Sequence, residues 1–550
     1  MLDSSYTRFS NKIGLSITSH TGANLLKSDS HIVLNFPYKD CILKGAQSKD
    51  EDKSNEIFFN EILGSDEIDV LFKPKVLQNF ELIDSSLRDS QRESKQSTNL
   101  KSAILNKPNL LIKGNNLLAL HSLKKRKDIY GQVKLIYIDP PYNTGNDSFN
   151  YNDKFNHSAW LTFMKNRLEI AKEFLRDDGV IFVQCDDNEQ AYLKVLMDEI
   201  FGRENFVNCI ACRSSTPSGL KTAHREKTII KTKDYILFYA KNANNITLKP
   251  QYVKKEKWDT HYNFIFDKDK ITTKNLVEAM IEKGLLQKGN TINDININNK
   301  EHRKFYLKFA DCIFRTAPEM PKEPKELSQK NPNQIISYQD SDGNLQYALN
   351  GNRFSFLKQT LKEVFIGASL EQDISNLLCD FWSDIDFQNT QNQGGISFTN
   401  AKKPEQLLYR IIDMTTQEND LVMDFFAGSG TTCAVAHKMK RRWIGIEQMD
   451  YIENITKEQL IKVINGEQGG ISKAVGWNPL SPFLAEGDKG GGLKVQKNKN
   501  AKFANAESTH PLAPSAREGE LPKNEFIYCE LMPLNGYIKH ESRSRKTIAN

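Results

Sequence analysis

The sequence predicts an α/β fold: a doubly wound, mostly parallel sheet covered by helices and interrupted by an inserted domain. Three observations predict it. Buried-strand runs alternate with helical periods from Asn109 to Asp187. The alternation lapses beyond Cys209, where Ser, Thr, Pro and Gly are interleaved with basic residues. It resumes at "KKPEQLLYRIIDMTT" (402–416) and "DLVMDFF" (420–426).

Residues 1–104 read as an N-terminal arm. The arm is polar apart from an amphipathic island in which Ile57, Phe58, Ile62 and Leu63 share one helix face. The charged "DSSLRDSQRESKQSTNLKS" that follows is a linker. "VKLIYID" (Val133–Asp139) has the length and β-branched content of a buried strand. "SAWLTFMKNRLEIAKEFL" offers Ser158 as an N-cap and apolar residues at helical spacing, and "DDGVIFVQCDD" then predicts a second buried strand ending at Asp186 and Asp187. The first half of the sheet domain is therefore 105–205. The insert spans 206–394 and includes a hairpin turning at Asp342-Gly343. The second half is 395–550.

Composition narrows the function classes. No run approaches the roughly 18 apolar residues that span a bilayer, and "MLDSSYTRFSNK" has no apolar signal core, which points to the cytoplasm and away from membranes. A net charge of +6 and a pI near 8.6 permit a polyanionic partner without requiring one. The eight cysteines form no framework. Cys209 and Cys212 have C-x-x-C spacing but lack the second ligand pair a zinc site needs, so they are expected to be buried apolar cysteines and no metal is expected.

Asp424 to Thr432, "DFFAGSGTT", is a strand that breaks into a glycine turn and then a helix. Gly428 and Gly430 let a ligand approach the backbone at a helix N-terminus. Three ligands compete for such a turn. A phosphate-binding Walker loop needs Gly-Lys-Ser/Thr, and no lysine follows Gly430. A dinucleotide fingerprint needs a third small residue where Cys433 stands. An S-adenosylmethionine loop needs glycines beside an acidic strand end and no pyrophosphate cradle. Glu447 favours the last, because it lies 23 residues after Asp424, at the end of the next strand, where an acid would hold ribose hydroxyls.

The run Asp139-Pro140-Pro141-Tyr142 suits an exocyclic amino group on a nucleobase. Its nitrogen lone pair is delocalised into the ring, and attack on a sulfonium methyl requires that nitrogen to become more tetrahedral. The Asp139 carboxylate and the Pro140 carbonyl can draw both N–H bonds, while the prolines fix the backbone so that both acceptors face one spot. Tyr142 adds an aromatic face for a base rotated out of the duplex. A 5-methylcytosine mechanism would need a nucleophilic Cys beside a Pro, and none is here.

"DPPYNTG" and "FFAGSGTT" resemble the catalytic and cofactor motifs of amino-group DNA methyltransferases. The catalytic motif precedes the cofactor motif by 285 residues (424 − 139), which resembles the circularly permuted beta order. "LIYIDPPYNTGND", with "KKPEQLLYRII" ahead of "DFFAGSGTT", resembles the modification subunit of type III restriction-modification systems over most of Asn109–Trp477 and "FIYCEL". The resemblance implies an S-adenosylmethionine-dependent methyltransferase sheet, with the insert as target-recognition domain and adenine N6 as the methylated atom. It implies Asp139, Pro140, Pro141 and Tyr142 as the catalytic face. It implies Asp424, Phe425, Gly428, Gly430, Thr431 and Glu447 as cofactor contacts, with Lys403 and Pro404 flanking the methionine end. Duplex DNA, a helicase-nuclease restriction subunit and a second copy of the chain are the implied partners.

Between Ala211 and Lys233 there are six Lys or Arg residues against the single acid Glu226. Arg213, Lys221, Arg225 and Lys227 are the candidates for phosphate contact. One departure from the family is a run of 47 residues, Asn478 to Asn524, holding the related units "PLSPFLAEGD" and "PLAPSAREGE"; it is expected to be an insertion outside the sheet. Rival functions are a solitary methyltransferase and a silent DNA-specificity protein; the intact "DPPY" and "GSG" oppose the second.

Overall fold

The computed structural model describes residues 75–84, 107–145, 155, 157–217, 225–387, 390, 393–396, 398, 402–479 and 524–533, with five short strands among the first sixty residues. It divides into two compact units, 250–379 and the remainder.

The larger unit is built on a ten-stranded sheet. In chain order its elements are β1 (Lys75–Asp84), β2 (Asn109–Lys113), α1 (Asn116–Leu123), β3 (Val133–Ile138), α2 (His157–Phe174), β4 (Leu175–Cys185), α3 (Gln190–Phe201), β5 (Phe206–Arg213) and β6 (Lys233–Ala240). After the smaller unit come β7 (Phe381–Trp382), α4 (Glu405–Thr415), β8 (Leu421–Asp424), α5 (Thr431–Lys438), β9 (Arg442–Glu447), α6 (Lys457–Ile464) and β10 (Glu525–Pro533). The spatial order is β7-β5-β6-β4-β3-β8-β9-β2-β10-β1. From β4 to β10 every neighbouring pair is parallel, and β6 and β1 run antiparallel at the two sides of that block.

Parallel strands with helices on both faces are dry on both faces, so their sequences run apolar without alternation. All six residues of β3 are buried, as are all four of β8. The exception in β3 is Lys134, whose ammonium reaches the Asp178 carboxylate at 2.9 Å. Helix α2 supplies Trp160, Phe163 and Phe174 to the core. Ser158 lies inside the first turn of α2, not ahead of it as the sequence predicts, because the helix begins at His157.

The amphipathic island holds strands, not the predicted helix. Phe58–Asn60 is extended and pairs antiparallel with Cys41–Leu43, while Ile57, Ile62 and Leu63 lie outside the described residues. Farther along the same island, β1 pairs with β10. A short apolar run does not separate the two periods, and partner strands hundreds of residues away decide between them. The inserted segment is also shorter than the sequence suggested. Strands β5 and β6 belong to the large sheet, where β6 pairs with β4 from Tyr235 to Ala240, so the change of texture after Cys209 marks a loop and not a domain boundary. Cys212 is fully buried within β5, and burial pushes its thiol up to about 12.

Residues 250–379 carry a six-stranded antiparallel sheet and a three-stranded one. The turn at Asp342-Gly343 joins Ile336–Gln339 to Leu345–Leu349, with Asp340 accepting from the Asn344 amide at 2.8 Å. Phe314 stacks on Phe354 at 3.9 Å in one core cluster; in another region the buried Asp373 accepts from Tyr306 at 2.7 Å and Arg303 at 2.8 Å.

Most of the expected insertion, 480–523, lies outside the described residues. Its two ends meet: the Asn524 side chain donates to the Pro479 carbonyl at 2.6 Å, and the strand that follows fills its place between β2 and β1. Because loop-closure entropy grows only logarithmically, replacing 480–523 with a short Gly-Ser link is expected to change stability by about 1–2 kcal/mol. Urea unfolding of the shortened chain checks this; loss of the cooperative transition would mean that the stretch is part of the fold.

Candidate active site

Chain direction creates the site. From β3 the chain crosses through α2 to β4 on one side; from β8 it crosses through α5 to β9 on the other. The crossovers diverge between β3 and β8, and a crevice opens outside the carboxyl ends of those strands. Asp139 follows β3 and Asp424 ends β8, so the topology brings the two halves of the chain to one cleft. The cleft is open to solvent and spans about 660 Å³ of empty space, with Asp139, Lys403, Asp424, Phe426, Gly428 and Glu447 among its walls.

The glycine turn is built for tight approach. Gly430 stands at the head of α5 with φ of +86°, and a Cβ there would come within 2.9 Å of the Thr456 methyl. The Thr456 hydroxyl donates to the Gly428 carbonyl at 2.6 Å. Glu447 holds the other side of the turn: its carboxylate accepts from the amides of Gly428 (2.9 Å), Gln448 (2.9 Å) and Met449 (3.0 Å). Asp424 accepts from the Phe426 amide at 2.9 Å and the Thr432 hydroxyl at 2.6 Å.

Burial pushes the Asp424 carboxyl up to about 7, opposed by those two donors and reinforced by the charges of Asp139 and Glu447. Glu447 is raised as well, again chiefly by burial. Three acidic side chains and one basic one, Lys403, line the cleft. That balance disfavours a polyphosphate and suits a ligand carrying positive charge with hydroxyls for Glu447. S-adenosylmethionine fits this donor set.

Across the cleft, both oxygens of Asp139 are engaged. The Tyr142 hydroxyl donates to one at 2.7 Å, and the Lys403 ammonium lies 2.7 Å from the other. Lys403 also sits 5.2 Å from the centre of the Tyr142 ring. The Pro141 carbonyl accepts from the Trp160 indole at 2.8 Å, whereas no donor among the described residues reaches the buried Pro140 carbonyl. Burial and the neighbouring Asp139 charge hold the Tyr142 phenol well above its ordinary value.

The other expected site residues scatter around this centre. Thr431 lines the cleft. Pro404 stands at the head of α4 and directs Lys403 inward. Phe425 is fully buried behind the turn, its carbonyl bonded to Asn116, and Phe426 is the ring that lines the cleft. Sequence reasoning missed Phe398 and Tyr451, whose rings lie 5.1 Å apart in the wall. Tyr451 could have been sought just past the acidic strand end; Phe398 has no local signal. Arg213, Arg225 and Lys227 are exposed near the β5–β6 connection, and Lys221 is outside the described residues. In the same connection Ile229 is 96% exposed, while Lys231 is drawn down to Asp186 at 2.5 Å.

A model of the DNA methylase family matches residues 133–458. The chain is 39% identical to the protein described as "Probable type III restriction-modification enzyme HindVI Mod subunit" of Haemophilus influenzae, over 88% of this chain and 74% of that one. It is 32% identical to the type III restriction-modification enzyme EcoPI Mod subunit of Escherichia phage P1, over 64% of this chain and 59% of the relative. Among solved structures, PvuII DNA methyltransferase (cytosine-N4-specific) superposes with a TM-score of 0.32 at 13% identity, over 65% of this chain and 89% of that one.

The raised Asp424 carboxyl has a consequence for stability. The folded protein keeps a proton on Asp424 at pH values where the unfolded chain has released it. Its contribution is therefore complete below the ordinary aspartate range and is lost as pH rises toward 7. Between roughly pH 4 and pH 7 this group should remove about 1.4 kcal/mol per pH unit. Asp424→Asn, with the Thr432 hydroxyl free to reverse its bond, should flatten that part of the profile. Urea unfolding at pH 5, 6 and 7 measures it, and parallel slopes in the two proteins would refute the assignment.

Proposed function

We propose that this chain, which belongs to the DNA methylase family, is the modification subunit of a type III restriction-modification system and methylates adenine N6 in duplex DNA. The observation that carries the reading is the meeting of two motifs, 285 residues apart in sequence (424 − 139), across one acidic cleft between β3 and β8. S-adenosylmethionine, when bound, supplies a methyl group made electrophilic by its sulfonium.

The chain's own residues do the rest. Glu447 and the turn at Gly428 and Gly430 would hold the ribose hydroxyls of the cofactor, with Asp424 lining the same cleft. Asp139 and the Pro140 carbonyl accept the two N–H bonds of the target amino group, pulling the nitrogen toward tetrahedral geometry and exposing its lone pair. The Tyr142 hydroxyl fixes the Asp139 carboxylate while the ring offers a stacking face. Lys403 faces Asp139 and can turn to a ligand carboxylate, which frees an Asp139 oxygen for the amino group. An acid in the first position of the motif favours adenine N6 over cytosine N4.

DNA is held by the basic connection carrying Arg213, Lys221, Arg225 and Lys227, and its sequence is read by residues 250–379. A separate restriction subunit and a second copy of this chain complete the cytoplasmic assembly. Digestion of DNA methylated by the chain, followed by mass spectrometry of the nucleosides, tests the central reading: N6-methyladenine is expected, and N4-methylcytosine would overturn it.

Asp139→Ala should lower transfer by at least about 100-fold, the scale of losing one preorganised polar partner of a transition state. Cofactor binding measured by calorimetry should stay near that of the parent; equal turnover would sink the mechanism. Neutralising Arg225 and Lys227 together should reduce the slope of log affinity against log salt by about 2, since released counterions follow phosphate contacts. An unchanged slope would make these residues a solvated face only.

A further inference from the structure

We infer that Glu189 is a positioning residue for the catalytic loop, gripping Asn143 so that the preceding Asp139–Tyr142 turn keeps its acceptors aimed. The inference rests on the methyl-transfer reading above. It starts from a backbone anomaly: Asn143 directly follows Tyr142 and has φ of +58°, a left-handed conformation that asparagine tolerates better than other non-glycine residues. Something must choose that conformation. The Asn143 side chain supplies it by bonding at both ends, accepting from the Phe155 amide at 2.7 Å and donating to a Glu189 oxygen at 2.7 Å.

Glu189 is an unusual partner. It is the N-cap residue of α3, yet its side chain accepts from none of that helix's free N–H groups. Its side chain is 2% exposed and turns instead toward Asn143 and toward His157, whose Nδ1 lies 2.8 Å from one carboxylate oxygen and 3.0 Å from the other. The hydrogen bonds converge on one carboxylate oxygen, which accepts from the Asn143 amide and pairs with His157 Nδ1. The His157 ring packs edge-on against Tyr192 at 4.0 Å, which fixes the imidazole from its other side.

A buried carboxylate that forgoes its helix to hold a loop residue is costly unless its partners are well placed. The loop is then pinned on both sides of the proline pair's exit: Trp160 holds the Pro141 carbonyl, and Glu189 holds Asn143 two residues later. Between those pins lies Tyr142, whose hydroxyl orients Asp139. Loss of the second pin leaves Asn143 free to leave the left-handed well and turns Tyr142 and Asp139 with it.

The same bonds would also cement α2 to α3, and a swap of donor and acceptor separates the two roles. In Asn143→Asp a carboxylate faces the Glu189 carboxylate. In Glu189→Gln the amide oxygen still accepts from Asn143. In the double variant the Gln amide donates to the new Asp, and the grip returns with the charges exchanged. In the full chain at pH 8, Asn143→Asp should lower kcat by about 100-fold, the cost of a misplacement near 1 Å. Glu189→Gln should stay within a few-fold of the parent, and the double variant should recover most of the loss. The dissociation constant for S-adenosylmethionine, by calorimetry, should not change. Amide exchange over Tyr142–Gly145 should quicken in Asn143→Asp and slow again in the double variant. A double variant that stays as slow as Asn143→Asp, or cofactor affinity that falls in step with kcat, would overturn the inference. Absence of transfer in the parent chain would strike the methyl-transfer reading alone, because the exchange pattern still reports whether Glu189 holds the loop.

Discussion

The burial of Asp424 and Glu447 at the ends of neighbouring parallel strands is the constraint on which the rest of the larger unit depends. Each carboxylate is taken out of water, and burial raises the pKa of both. Such groups persist only where donors are already in place. The donors here are backbone amides of the turns that follow β8 and β9, and the hydroxyl of Thr432 in the first turn of α5. Satisfying the two acids therefore shapes the glycine turn from both sides. The first turn of a helix, with its free N–H groups and positive dipole end, is where that cost is least.

Close packing behind the turn leaves it little freedom. A Cβ at Gly445 would meet the Cys433 sulfur at 2.7 Å, so β9 and α5 approach as they do only because the strand carries glycine there. The buried Arg167 reaches Asn116 at 2.6 Å, and Asn116 in turn donates to the Phe425 carbonyl at 2.8 Å. That relay joins α2, which supports the catalytic loop through Trp160, to the strand end that carries the opposite motif. The two halves of the cleft are thus referred to one helix. A displacement of either wall would have to break bonds made by fully buried side chains.

What was legible in the sequence was local chemistry. The strands β3, β4 and β8 announce themselves by the apolar runs 135–138, 180–183 and 421–423, and the turns after β3 and β8 carry residues that point to a site. Asp139, Asp424, Gly428 and Glu447 were named from such signals, Thr431 and Lys403 from the family resemblance alone, and all six line one cleft. What was not legible depends on partners remote in sequence. Phe58–Asn60 is too short to show its period. β1 is a strand because β10, more than four hundred residues later, needs an edge partner. Phe425 and Phe426 are adjacent and alike, and only the direction of the turn decides which ring is buried behind it and which faces the cleft. Glu189 carries no local signal, and only the packing shows its side chain turned from α3 toward Asn143.

The position of the long interruption follows from the same sheet. Any insertion between β3 and β4, or between β8 and β9, would have to leave and rejoin a parallel crossover whose strands are buried on both faces. The chain instead departs after β6 and returns at β7, which pairs parallel with β5 at one side of the parallel block. Only β5 and β6 follow one another there as antiparallel neighbours, and residues added beyond them leave the register of β3 and β8 untouched. The run 478–524 obeys the same logic at the other side, where it enters just before β10 and its ends are tied by Asn524 and Pro479. Both additions are excluded from the strands that carry Asp139, Asp424 and Glu447. A sheet whose switch point must stay fixed to hold two buried acids can gain length only at its sides.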